Sequence, residues 1–160
     1  MKVYLAPGWR GDLQALAPWV EGLRSRGFEA RGILLPMGRA ERSLGPFLEV
    51  AAPDVVVGGS SFGGRVASLA AAEREVAGLL CFSFPLAGQA EERTRHWPRI
   101  GCPALVVNGD RDELTDAEEL NRRLPLLRHG RLELVAGGGH DLKPQLDQVL
   151  DLAGVFLASL

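Results

Sequence analysis

The residues able to do chemistry lie in three short glycine-rich stretches. The first is Gly59-Ser60-Ser61-Phe62-Gly63, a serine centred in Gly-x-Ser-x-Gly. Val55-Val56-Val57 precedes it, and an alanine-rich segment follows. A strand, a sharp turn and a helix in that order make a nucleophile elbow, in which a strained turn lifts the serine hydroxyl above the sheet edge. The flanking glycines remove Cβ atoms that would clash. The turn also brings the N–H of Phe62 to a helix N-terminus, where it can stabilise developing negative charge. Ser60 is the neighbouring alternative, but it fits neither glycine spacing. An ordinary tight turn is the bland reading. A nucleotide phosphate loop is disfavoured, because no Gly-Lys-Ser/Thr follows the glycines.

A serine hydroxyl is a poor nucleophile at neutral pH and needs a base within hydrogen-bond reach. The chain has three histidines. His140, in Gly137-Gly138-Gly139-His140-Asp141, follows the last expected strand and so lies at the edge where the elbow opens. His96 falls in an irregular stretch, at the mouth or simply exposed. His129 reads as part of a helix-to-strand turn. The imidazole in turn needs a carboxylate to fix its tautomer. Asn108-Gly109-Asp110-Arg111-Asp112, again directly after a strand, offers two. Spacing alone does not choose between Asp110 and Asp112, and the other is left to turn the loop or cap the next helix.

The elements that must position these groups follow from the apolar pattern. A chain of 160 residues is expected to form one domain, residues 1–160. Its 46% apolar and 24% charged residues exclude intrinsic disorder. A net charge of -2 gives no pull toward nucleic acid or an anionic membrane. No apolar run reaches the length of a membrane span. The first strand meets Pro7-Gly8 too early for a signal peptide, so a cytoplasmic location is expected. Cys81 and Cys102 read as reduced core thiols. No CxxC or HxxxH spacing offers a zinc site. Strands are expected at 2–6, 28–35, 54–58, 76–84, 104–108 and 131–136. Helices are expected at 13–26 (capped by Asp12), 43–51, 62–74, 115–124 and 144–157. The Val55-Val56-Val57 run, with no polar alternation, suits a strand buried on both faces. Six strands alternating with helices predict a three-layer α/β fold around a mainly parallel sheet.

The whole pattern resembles a small α/β-hydrolase of the dienelactone-hydrolase-like type, across nearly all of the chain. The resemblance rests on the serine elbow, on Gly109-Asp110-Arg111-Asp112 and on the run from Gly78 to Leu86. The order serine, acid, histidine is the one such hydrolases use. Members carry Gly-x-x-Asp after the penultimate strand, so the resemblance selects Asp112 as the acid. It also implies a second oxyanion donor, the backbone N–H of Trp9, in Pro7-Gly8-Trp9-Arg10-Gly11. Two departures stand out. Dienelactone hydrolases proper use a cysteine nucleophile where this chain has Ser61, and many members have His-Gly where this one has Pro7-Gly8. The family fold usually has two more N-terminal strands, which are expected to be absent here. That leaves six strands in the order 2-1-3-4-5-6 and no large lid.

The resulting expectation is a serine hydrolase acting on a small-molecule ester or thioester through Ser61, His140 and Asp112, with no cofactor or metal. A binding scaffold with a residual triad is the alternative. An open, shallow site is expected, with Trp9, Phe62, Leu86, Trp97 and Leu114 as candidate walls. Arg65, one turn into the elbow helix, is placed to meet a substrate carboxylate or to form a surface ion pair. A homodimer is the other way to complete the site, with Phe84 or Trp97 of a second copy as the missing wall.

Overall fold

A computed structural model describes residues 1–160. Six parallel strands form one sheet in the order β2-β1-β3-β4-β5-β6. They are β1 (Lys2–Ala6), β2 (Glu29–Gly32), β3 (Val55–Ser60), β4 (Gly78–Phe82), β5 (Ala104–Gly109) and β6 (Gly130–Val135). The helices are α1 (Leu13–Ser25), α2 (Gly45–Val50), α3 (Phe62–Ala71), α4 (Ala90–Thr94), α5 (Ala117–Arg123) and α6 (Leu146–Ala158).

The central strands are apolar on both faces because both faces are covered. Val55 and Val57 of β3, Leu79 and Cys81 of β4, and Ala104 and Val106 of β5 enter one core. That core also holds Phe47 of α2, Val66 and Ala70 of α3, and Leu120 of α5. The intervening residues Val56, Leu80, Phe82, Leu105 and Val107 enter a second core with Leu16, Trp19 and Leu23 of α1 and Leu150 and Phe156 of α6. The alternation follows the two-residue period of a strand. Cys81 is a fully buried core thiol, whereas Cys102 is half-buried against the same core.

Several boundaries differ from expectation, each for a local reason. β2 ends at Gly32, opposite Leu5 of β1, and the Ile33 N–H makes the last bond to β1, to the Leu5 carbonyl at 2.8 Å. β4 stops at Phe82 because Ser83 turns into the left-handed region, with φ 55°. α5 starts at Ala117, with Asp116 as the cap that accepts the Glu119 N–H at 2.8 Å. Thr115 is instead used as a tie: its hydroxyl donates to the Phe84 carbonyl at 2.6 Å and accepts the Leu86 N–H at 2.9 Å. The irregular stretch before β5 contains the short helix α4 and a 3₁₀ turn, Trp97–Arg99. No helix is long and apolar enough to cross a membrane.

Candidate active site

A parallel sheet delivers every strand's carboxyl end to one edge, and the loops leaving that edge carry the site. At the end of β3 the chain must turn sharply into α3. Ser61 makes that turn with φ 49° and ψ -114°, a conformation an L-residue adopts only under strain. The close approach of neighbouring backbone explains the glycines. A Cβ on Gly59 or on Gly63 would collide with the carbonyl oxygen of Ala6 in β1. The turn is held by the Ser61 N–H donating to the Phe82 carbonyl at 2.8 Å and by the Arg65 N–H donating back to Ser61 at 3.0 Å.

The Ser61 hydroxyl lies 2.8 Å from Nε2 of His140. On the far side of the ring, Nδ1 lies 3.0 Å and 2.9 Å from the two carboxylate oxygens of Asp112. A carboxylate only accepts, so Nδ1 carries the proton and Nε2 is left to accept from serine. The Asp112 side chain is fully buried. Its oxygens also accept the Leu114 N–H at 2.8 Å and the Asn108 side-chain amide at 3.0 Å. The carboxylate is therefore oriented as well as desolvated. Asp110 plays a different part. It accepts the Gly137 N–H at 2.8 Å and so fastens the histidine loop to the β5 loop.

Further ties hold that histidine loop. The Ser83 hydroxyl donates to the His140 carbonyl at 2.7 Å, and the His140 N–H donates to Glu113 at 3.2 Å. Neither Ser83 nor Glu113 stands out as a site residue in the sequence. The one available signal is that both sit at strand ends on the elbow's edge. The four non-glycine residues with positive φ are Arg10, Ser61, Ser83 and Ala87. All four lie in loops leaving β1, β3 and β4 at this edge, where backbone strain is concentrated.

The first-strand loop borders the serine. A Cβ on Gly8 would sit 3.8 Å from Cβ of Ser61. Trp9 then meets Phe62 edge to face, with ring centroids 5.1 Å apart. As the first residue of α3, Phe62 has an N–H with no acceptor within the helix.

Beyond the serine lies a cleft of about 1150 Å³ lined by Trp9, Phe62, Leu114 and Arg65. Leu86 and Trp97 do not line it. They are 2% and 1% exposed and belong to the core under α3. Trp97 packs edge to face on Phe84, at 5.1 Å, which buries both rings. Neither is therefore on the surface to complete a neighbour's site. Residues 38–42, after β2, and residues from 89–99, after β4, contribute to the lining of the cleft. Arg65 takes the ion-pair option, with Glu41 at 2.7 Å. His96 is buried in the wall and bonds the Ser68 hydroxyl at 2.7 Å through Nε2. Burial, with Arg99 and Arg65 nearby, pushes its pKa down to about 4, so the ring is neutral at pH 7.

Solved structures share this architecture. A predicted CIB-like hydrolase from Thermoplasma acidophilum aligns with a TM-score of 0.78 at 18% identity, over 99% of this chain and 86% of that one. Est1E from Butyrivibrio proteoclasticus aligns with 0.82 at 18% identity, over 98% and 86%. A monoacylglycerol lipase from Paleococcus ferrophilus aligns with 0.77 at 15% identity, over 98% and 93%. At such identities the likeness is one of fold, and it does not single out the dienelactone-hydrolase-like subgroup. No curated protein matches the sequence. Residues 38–155 match the family described as alpha/beta hydrolase domain. That stretch contains the elbow, the Asp112 loop and His140, and the chain belongs to the alpha/beta hydrolase domain family.

Proposed function

We propose that the protein is a serine hydrolase that cleaves a carboxylic ester or thioester through an acyl-enzyme. The observation that carries this is the continuous chain of hydrogen bonds from Ser61 through His140 to Asp112. Ser61 Oγ attacks the carbonyl carbon while Nε2 of His140 takes the hydroxyl proton. Asp112 holds the imidazole and stabilises the imidazolium that forms. The backbone N–H groups of Phe62 and Trp9 receive the oxyanion, an interaction worth about 10²–10³ in kcat per donor in a well-studied protease. The tetrahedral intermediate collapses, the C–O or C–S bond breaks, and His140 returns its proton to the leaving group. Water then enters, gives a proton to His140 and attacks the acyl carbon. Ser61 departs with that proton and the free acid is released.

The position of serine, imidazole and carboxylate on three loops of one sheet edge supports acyl transfer over simple binding. A binding scaffold has no use for a proton relay of this geometry. The test is a pre-steady-state experiment with p-nitrophenyl acetate. The expected result is a burst of nitrophenolate, up to one equivalent per chain, followed by slower turnover and lost in Ser61→Ala. Linear release at the same rate from both proteins contradicts the reading. A matched thioester measured alongside ranks the two leaving-group classes.

A further inference from the structure

The walls of the cleft carry a charge that the chain as a whole does not. Six arginines line it: Arg39, Arg42, Arg65, Arg93, Arg95 and Arg99. Glu41 and Glu92 are the only acids among the lining residues. Six positive groups against two negative leave an excess of four, in a chain whose net charge is -2. His96 adds nothing at neutral pH, because its ring is uncharged there.

These arginines are not equally committed. Arg65 is satisfied by Glu41. Arg93 is anchored by one bond, from Nη1 to the Pro85 carbonyl at 2.8 Å, and its buried Nε has no partner. Burial and the neighbouring Arg65 both disfavour the Arg93 charge, and Glu92 and Glu41 offset this only in part. Arg95 and Arg99 are exposed on the same wall. Like charges gathered in this way repel one another and disfavour the folded state. A bound oxyanion removes that repulsion, and guanidinium forks match the geometry of oxyanions.

We propose that the cleft takes an ester or thioester whose leaving group ends in a phosphate, gripped by Arg93, Arg95 and Arg99 while the scissile carbonyl lies at Ser61. The proposal rests on the reading of Ser61 as nucleophile. The phosphate is a handle and is not attacked; the bond broken is the acyl C–O or C–S bond. An excess of four charges is more than a single carboxylate would balance. A phosphate carries close to two negative charges at pH 7 and three acceptor oxygens. The cleft volume leaves room for a short acyl chain and such a group together.

The test uses three acetyl thioesters of equal length, made from 2-mercaptoethyl phosphate, 4-mercaptobutyrate and 4-mercaptobutanol. At low salt, kcat/KM for the phosphate substrate is expected to exceed that of the neutral one by tenfold or more. The carboxylate should fall between, and the preference should shrink in 0.5 M salt. Arg95→Gln and Arg99→Gln should each draw the phosphate-to-neutral ratio toward one. Arg131→Gln, an equal loss of charge on edge strand β6, should leave the ratio as it was. A neutral substrate as good as the phosphate overturns the proposal. A carboxylate that equals or beats the phosphate also overturns it, as does an equal fall in Arg131→Gln. Calorimetry on Ser61→Ala separates this idea from the hydrolase reading, because it needs no turnover. There the phosphate thioester should bind at least tenfold tighter than the neutral one, and equal binding overturns the proposal whatever the enzyme does.

Discussion

Two sets of loops leave the same sheet edge and are built by different means. The loops after β3, β5 and β6 hold Ser61, Asp112 and His140. They are fixed by glycines that admit close backbone contacts and by hydrogen bonds from one loop to the next. The stretches after β2 and β4 wall the cleft and are rich in arginine. Their character comes from side-chain charge, and most of those side chains reach into solvent. On the proposed function the first set governs whether a reaction occurs, and the second governs what is admitted. Substitutions in the first should therefore act on kcat for every substrate, whereas those in the second should act on the ranking of substrates.

The sharpest way to break that division is at the two acids of the β5 loop. Asp112→Asn should lower kcat by about 10⁴, the loss seen when a serine protease loses the carboxylate that sets its histidine tautomer. Asp110→Asn removes only a tie to Gly137 and should cost about tenfold or less. Steady-state kinetics on one ester decide it, and the reverse ranking would reassign the acid.

Ser83 tests the same division at lower stakes. Ser83→Ala deletes the bond to the His140 carbonyl while keeping a side chain that tolerates the same turn. A single hydrogen bond contributes about 0.5–1.5 kcal/mol, so kcat should fall by roughly threefold to tenfold with every ester alike. A change in KM for one ester alone would move Ser83 from the machinery to the substrate walls.

Acyl length probes the walls. Each buried CH₂ is worth about 0.8 kcal/mol, and an exposed one almost nothing. The charged walls offer a long alkyl chain little cover, and six of the 18 lining residues are apolar. From butyryl to octanoyl esters, kcat/KM should rise by less than about threefold. A steep rise through octanoyl would reveal an apolar channel that the cleft does not show.

The smallest effect concerns His96 and stability. Its folded pKa of about 4 lies below its ordinary 6.5. As pH falls from about 6.5 toward 4, the unfolded chain takes up the proton first, so stability is lost across that window. His96→Gln should therefore lose less melting temperature than the parent between pH 7 and 4.5, by about 3 °C or more. Identical losses would show that the ring is not held neutral.

The difference between the two regions also explains what is legible in the sequence. The elbow, the strands and His140 can be read because strands, tight turns and glycine spacing are local features, whereas the strand order follows from the resemblance. Spacing does not tell Asp112 from Asp110; resemblance favours Asp112, and the geometry brings it to His140. Trp97 and Leu86 look like walls in the sequence because they lie in the irregular stretch after β4, at the elbow's edge. Burial depends on tertiary packing, and both residues join the core on the α3 face of the sheet, Trp97 against Phe84. The arginine cluster is not legible in the sequence for a different reason. Arg39 and Arg42 lie far along the chain from Arg93, Arg95 and Arg99, and only the folded sheet brings the two groups together. That both follow strand ends at the elbow's edge is the usable clue.

On the proposed function Ser61 is a nucleophile activated by His140. Reaction with a fluorophosphonate, read by intact mass and peptide mapping, tests it most directly. One adduct per chain is expected, on Ser61, with none on the Ser61→Ala protein and much slower labelling of His140→Ala. Equal labelling of Ser61→Ala, or an adduct mapped to Ser60, would contradict it.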